Sequence, residues 1–268
     1  MTKVTFLTFA AGKKCWLRSA DRLARQAADS GLFDKIVSWT EEDLSRHNVS
    51  GLATIQALTR SFSKGSGLWS WKMPVIDYHL SRLDKGHLLL YLDSGFSINS
   101  NEKSKLRFSA YVDLAQRNGS VLFQQPLIEE EWSKNSLRKQ FQEESIWQTG
   151  QYLGGVQLLS GTDRVRDFVR HARDLTLENG GTNLLEPRED EVQDSTFRHH
   201  RHDQSVISLA AKSHGMFGIP DETYFSPDWS TTGREFPLWA TRLCSGNPNV
   251  ENSLYQRGRR LLERSLPF

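Results

Sequence analysis

The sequence predicts a three-layer α/β fold on a mostly parallel central sheet, and three observations predict it. Short β-branched or aromatic runs alternate with segments of helical period along most of the chain. One run, His87-Leu88-Leu89-Leu90-Tyr91-Leu92, is almost continuously apolar and stops at Asp93-Ser94-Gly95. That pattern is expected of a parallel strand buried on both faces, with its carboxyl end at a sheet edge. The opening residues read as strand, turn and helix in direct succession.

In order, Val4 to Phe9 (VTFLTF) is the first strand, closed by Ala10-Ala11-Gly12. The spacing of Trp16, Leu17, Ala20, Leu23, Ala24 and Ala27 predicts a helix over Trp16 to Ser30, with Gly31 as its C-cap. Lys35 to Trp39 is a second strand. Gly51 to Trp71, crowded with Gly and Ser, reads as a loop passing into a helix from Pro74 to Leu83. Beyond the apolar strand, further strands are expected at Ser120 to Gln124 and Leu153 to Leu159. Helices are expected at Asn101 to Arg117, Asp163 to Leu175 and Asp203 to His214. The polar stretch from Glu178 to Asp194 reads as a surface loop.

Length and charge narrow the classes. The chain has 268 residues, 37% hydrophobic, with 34 Lys and Arg against 32 Asp and Glu, a net charge of +2. That balance excludes a polybasic nucleic-acid binder, and the expected partners include no nucleic acid. The expected organisation is one α/β domain, residues 1–223, with a C-terminal extension, 224–268, packed on or beside it. Two cysteines, Cys15 and Cys244, are too few for a disulfide scaffold or a thiolate metal site and point to a reducing compartment. No window is long and apolar enough to span a bilayer, so a cytoplasmic protein is expected. The arginines of Gln256 to Arg264 read first as a solvated face and second as a peripheral contact with an anionic membrane or acidic partner.

Three segments carry chemistry. Asp93, ending a buried strand beside a small residue and a glycine, can reach a metal-bound diphosphate; its plain alternative is capping the following turn. Upstream, Gly65-Ser66-Gly67-Leu68-Trp69-Ser70-Trp71-Lys72 offers a loop, two indoles and a mobile phosphate-neutralising charge at Lys72, or else a packed Trp pair and a solvated lysine. Downstream, Arg198-His199-His200-Arg201-His202-Asp203-Gln204-Ser205 precedes an apolar helical run, with Asp203 placed as N-cap. Three histidines in four residues invite a zinc reading, but neighbours on a loop seldom aim at one ion. One histidine joining Asp93 and phosphate oxygens on a single divalent cation is the better expectation. Gly154 and Gly155, at a strand start, admit a close ligand. Walker, dinucleotide and G-x-S-x-G patterns are absent.

Taken together, Trp69-Ser70-Trp71-Lys72, Tyr91-Leu92-Asp93-Ser94-Gly95 and His200-Arg201-His202-Asp203-Gln204-Ser205 resemble segments of bacterial and viral glycosyltransferases with the GT-A fold. The resemblance implies a GT-A-like, Rossmann-type sandwich and transfer of a sugar from a nucleotide diphosphate sugar to a glycan or related acceptor. It places Asp93 on the divalent ion, Mn²⁺ or Mg²⁺, although Gly95 stands where the usual second acid would be. It implies Thr8, Ala10 and Gly12 around the nucleotide, Arg18, Lys72 and His202 near the phosphates, and Gly154 and Gly155 along the donor sugar. Asp203 and Gln204 would lie at the reacting carbon, with retention favoured because an amide is a poor nucleophile, and inversion following instead if Asp203 reaches the acceptor hydroxyl as general base. Trp132, Lys134, Trp229 and Trp239 are candidates for the acceptor side, with core packing the plain alternative for each. The alternative is a catalytically silent nucleotide- or carbohydrate-binding module on the same fold.

Overall fold

The computed structural model describes residues 2–226 and 229–244; the arginine-rich piece Gln256 to Arg264 lies outside the described residues. The chain opens with β1 (Val4–Ala10), α1 (Lys14–Ser30) and β2 (Lys35–Thr40). Gly31 ends α1 in the left-handed conformation, φ 66°, as a C-cap requires. Then follow α2 (Glu41–Arg46), α3 (Leu52–Ser61), the single turn α4 (Gly65–Leu68) and α5 (Lys72–Leu80). Helix α3 occupies ground expected to be loop: Leu52, Ile55 and Leu58 recur every third residue and bury Ile55 and Leu58, a signal masked by the glycines and serines beyond it.

The buried run is β3 (Leu88–Asp93), followed by β4 (Ser97–Ile98), α6 (Glu102–Asn118), β5 (Ser120–Ile128) and α7 (Glu129–Trp132). Asn101 caps α6 by accepting from the Ser104 N–H at 2.9 Å. After α8 (Glu144–Trp147) come β6 (Gly150–Tyr152), β7 (Val156–Ser160) and α9 (Asp163–Leu177). The chain continues through α10 (Asp203–Ser213), β8 (Gly218–Pro220), α11 (Trp229–Thr232) and β9 (Leu238–Trp239). The stretch 178–194 is an irregular surface segment, yet it buries Asn183 and Leu184.

Among the described residues, a seven-stranded sheet runs β2-β1-β3-β7-β5-β6, with β8 beside β5. β1, β2 and β3 are mutually parallel, and β8 is parallel to β5. β7 lies antiparallel to both β3 and β5, and β6 antiparallel to β5. Five strands therefore point one way and β6 and β7 the other, a mixed but mostly parallel sheet. A continuous apolar run does not reveal the direction of its neighbour, so the reversal of β7 was not legible in sequence.

The two faces of β3 feed two cores, because successive side chains alternate across a strand. Leu88, Leu90 and Leu92 join Leu23, Phe108 and Tyr111 of α1 and α6 on one side, while Leu89 and Tyr91 join Val75, Ile76, Val169 and Leu209 of α5, α9 and α10 on the other. The chain leaves β1 for β2 on one side and returns past it to β3 on the other. The carboxyl end of β1 is thus a topological switch point, where open α/β sheets form a ligand crevice. No helix among the described residues is long and apolar enough to cross a membrane.

Cys15 and Cys244 form a disulfide across 229 residues. The expectation of a reducing compartment rested on the cysteine count, and this bond removes that support. It lies beside further ties of the C-terminal segment: Ser19 Oγ donates to the Leu243 carbonyl at 2.8 Å, and β9 pairs with β4.

Two interior histidines set an acid limit. His79 packs edge-on against Trp39, and burial first, then Lys35, His47 and Arg82, pushes its pKa down to about 4. Burial also pushes His200 well down. An unfolded histidine titrates near 6.5, so the stability these neutral rings hold above that pH is lost as pH falls from there toward 4. His79 alone accounts for about 2 kcal/mol by pH 5. The urea midpoint is expected to drop between pH 7 and pH 5; an unchanged midpoint would contradict the assignment.

Candidate active site

A cleft of about 1120 Å³ opens at the switch point. The carboxyl ends of β1 and β3, the middle of β5 and the residue before β7 border it through Ala10, Asp93, Gln125 and Gly155, and the head of α10 closes it through Asp203 and Gln204. Of the residues expected at a site, Ala10, Gly12, Lys72, Asp93, Gly154, Gly155, His202, Asp203 and Gln204 all line this one space. Thr8 does not: it is fully buried within β1. Arg18 is exposed on α1 and lies outside the lining, as do Trp132, Lys134, Trp229 and Trp239.

Lys72 is the centre of the floor. It is 2% exposed, and its Nζ donates to Asp203 Oδ2 at 2.6 Å and lies 3.2 Å from Asp93 Oδ1. It is therefore neither the mobile charge nor the solvated lysine expected, but a buried bridge between strand β3 and helix α10. Burial would lower the Lys72 pKa, yet Asp203 and then Asp93 outweigh it and hold the ammonium above its ordinary value. Burial raises the Asp203 carboxyl against the pull of Lys72. Asp203 also departs from the expected N-cap role. His202 holds that position, at φ 50° and ψ −120°, and Asp203 opens the helix with its carboxylate spent on Lys72.

Asp93 is held on its protein side, with 30% of its side chain open to the cleft. Tyr91 donates its hydroxyl to Oδ1 at 2.6 Å, and Arg22 from α1 donates to the Ser94 and Phe96 carbonyls at 3.0 and 2.7 Å, fixing the turn that follows. With Lys72 and Tyr91 on its oxygens and Gly95 where a second acid would stand, this donor set does not fit a divalent cation. An ammonium lies against the carboxylate that was expected to meet the Mn²⁺ or Mg²⁺.

Gly155 is required there. A Cβ on it would lie 2.8 Å from Asp93 Oδ2 and 3.1 Å from the Phe96 ring. Gly155→Ala is expected to push the carboxylate off Lys72 and to destabilise the chain by about 1–3 kcal/mol. An unchanged melting temperature in that variant would show that Asp93 need not hold this position.

Gln204 is oriented by a chain of amides. Its Nε2 donates to Gln125 Oε1 at 3.1 Å and Gln151 Oε1 at 2.8 Å, and Gln151 in turn donates to the fully buried carboxylate of Glu129 at 3.1 Å. Both amide protons of Gln204 are thereby spent, so its carbonyl oxygen is what it can offer a ligand.

The strongest electrostatic feature escaped the sequence reading. Arg201 and Arg242 both line the cleft, and neither forms an ion pair among the described residues. Burial, then Arg242, pushes the Arg201 pKa down to about 10. Its side chain has one long hydrogen bond, 3.4 Å to Gln125 Oε1, and lies over Trp132. Two guanidiniums without carboxylate partners on one cleft wall, one of them partly buried, suit an anion. Arg201 sits inside the His-rich segment and was readable as a cation; Arg242 arrives from the far end of the chain.

No family model matches the sequence, and no curated relative matches it. Among solved structures, the chain is similar to a glycosyltransferase involved in the glycosylation of the major capsid of PBCV-1, at 12% identity and TM-score 0.48 over 95% of this chain and 99% of that one. It is similar to mouse xyloside xylosyltransferase 1 in its apo form, at 12% identity and TM-score 0.47 over 92% and 99%. Likeness of this degree leaves the chemistry to the residues of the cleft itself.

Proposed function

We propose that the chain is a glycosyltransferase of GT-A type that binds a nucleotide diphosphate sugar in this cleft and passes the sugar to a glycan or related hydroxyl acceptor. The observation that carries the reading is the partly buried Arg201, without a carboxylate partner among the described residues, beside Arg242 and opening on the same space as the Asp93–Lys72–Asp203 floor. A diphosphate supplies the charge the two arginines lack, and they would stabilise it further as it departs with the added negative charge. The switch-point loop Ala10 to Gly12 takes the nucleoside end, and Gly154 and Gly155 leave room for the sugar ring.

Lys72 holds Asp93 and Asp203 at fixed separation, so that the sugar hydroxyls meet acceptors that need not reorganise. The Gln204 carbonyl oxygen lies at the anomeric carbon, where an amide oxygen stabilises positive charge without forming a stable covalent bond. Retention by front-face displacement follows, the leaving diphosphate taking the acceptor's proton.

The test is release of nucleoside diphosphate from a panel of UDP- and GDP-sugars. Asp203→Ala is expected to lower turnover at least a hundredfold, roughly 3 kcal/mol in the barrier, while circular dichroism confirms the fold. Equal turnover in wild type and variant would overturn the assignment of Asp203. Binding of the nucleotide sugars with no release by the wild type would favour the silent module.

A further inference from the structure

We propose a transition-metal site at the cleft rim, formed by Glu186, His199 and His202 and separate from Asp93. The ligand atoms of the three residues lie within 4.8 Å of one another. Both histidine Nε2 atoms stand 3.4 Å from the same oxygen, Glu186 Oε1. A tetrahedral ion with bonds near 2.1 Å separates its ligands by about 3.4 Å, so these two edges already have the required length.

The second observation is the state of His202. The ring is 4% exposed, and its Nδ1 meets the Leu184 carbonyl at 2.7 Å. Only an Nδ1–H can make that bond, so in the neutral ring the proton is on Nδ1 and Nε2 carries the lone pair. That Nε2 is buried and has no hydrogen-bond partner, an arrangement that costs free energy unless something electron-poor takes the lone pair. A backbone carbonyl on the far nitrogen is the usual way a protein orients a metal-binding imidazole. The backbone at His202 also carries a positive φ of 50°, a conformation strained for a side-chain-bearing residue and tolerated where an aim must be held.

The third ligand is held from a different direction. His200 binds the Asn183 carbonyl at 2.9 Å, and Lys134 Nζ donates to the Thr182 and Leu185 carbonyls at 2.7 and 3.0 Å. The backbone leading to Glu186 is therefore pinned beneath the histidines, while the His199 ring, half-exposed, is free to close the last gap. His199 and His202 line the cleft, so coordination positions left open by three protein ligands face it. Two imidazoles and one carboxylate suit Zn²⁺ or Mn²⁺ and discriminate against Mg²⁺ and Ca²⁺, which prefer oxygen.

The test is calorimetric titration of the chelator-stripped full chain with Zn²⁺, Mn²⁺ and Mg²⁺. Wild type is expected to bind one Zn²⁺, unaffected by excess Mg²⁺. Glu186→Gln and His199→Ala, whose side chains are near half-exposed and whose folds are checked by thermal melting, are each expected to weaken binding at least tenfold. His87→Ala, at the amino end of β3 and away from the cleft, leaves it unchanged. Absence of Zn²⁺ binding by the wild type, or the wild-type affinity in both ligand variants, would overturn the site. Neither result depends on glycosyl transfer, so failure of the proposed activity and failure of the metal site are read separately.

Discussion

Lys72→Met is expected to destabilise the protein by about 3–5 kcal/mol, the cost of stripping one partner from a buried ion pair. The side chain is 2% exposed and bridges Asp93 and Asp203. Methionine keeps the volume and removes the charge, leaving two carboxylates facing one another with no cation between them. For a chain of this size the melting temperature should fall by roughly 10 °C. Lys72→Met/Asp203→Asn should regain part of the loss, because the second change removes one of the stranded charges. A single variant as stable as wild type would mean that the bridge holds nothing together.

Arg201→Gln is expected to weaken binding of a nucleoside diphosphate about 10–100-fold, the equivalent of losing charge-assisted hydrogen bonds worth roughly 1.5–3 kcal/mol. The same change should not lower stability. Arg201 has no carboxylate partner among the described residues, and burial, then the nearby Arg242, already pushes its pKa down. Removing it relieves a like-charge contact. Affinity and stability moving in opposite directions, by titration calorimetry and thermal melts, is the signature of a binding group. Loss of both together would make Arg201 a structural residue.

What could be read from sequence alone follows the range over which each feature is encoded. The run from Leu88 to Leu92 carries its burial in consecutive residues, and Asp93 inherits its place at the sheet edge from that run alone. Asp203 and Gln204 were locatable because an apolar helix begins directly after them. Long-range encounters left no local trace: that Lys72 lies between two acids 21 and 131 residues away, that Cys15 meets Cys244, or that Arg242 faces Arg201. Glu186 was hidden for another reason, since a polar stretch that exposes most of its residues gives no sign of the one held under two histidines. Within the distorted turn α4 and just after it, Ser66, Leu68 and Trp69 all adopt positive φ, which neither propensity nor periodicity reports.

The measurement that meets the central claim most directly is the crystal structure of the chain with a nucleoside diphosphate, UDP or GDP. The diphosphate is predicted within hydrogen-bonding distance of the Arg201 and Arg242 guanidiniums, with the nucleoside against Ala10 to Gly12. A nucleotide seated elsewhere, or a cleft filled by it with both arginines turned away, would contradict the assignment of this cleft to a nucleotide sugar.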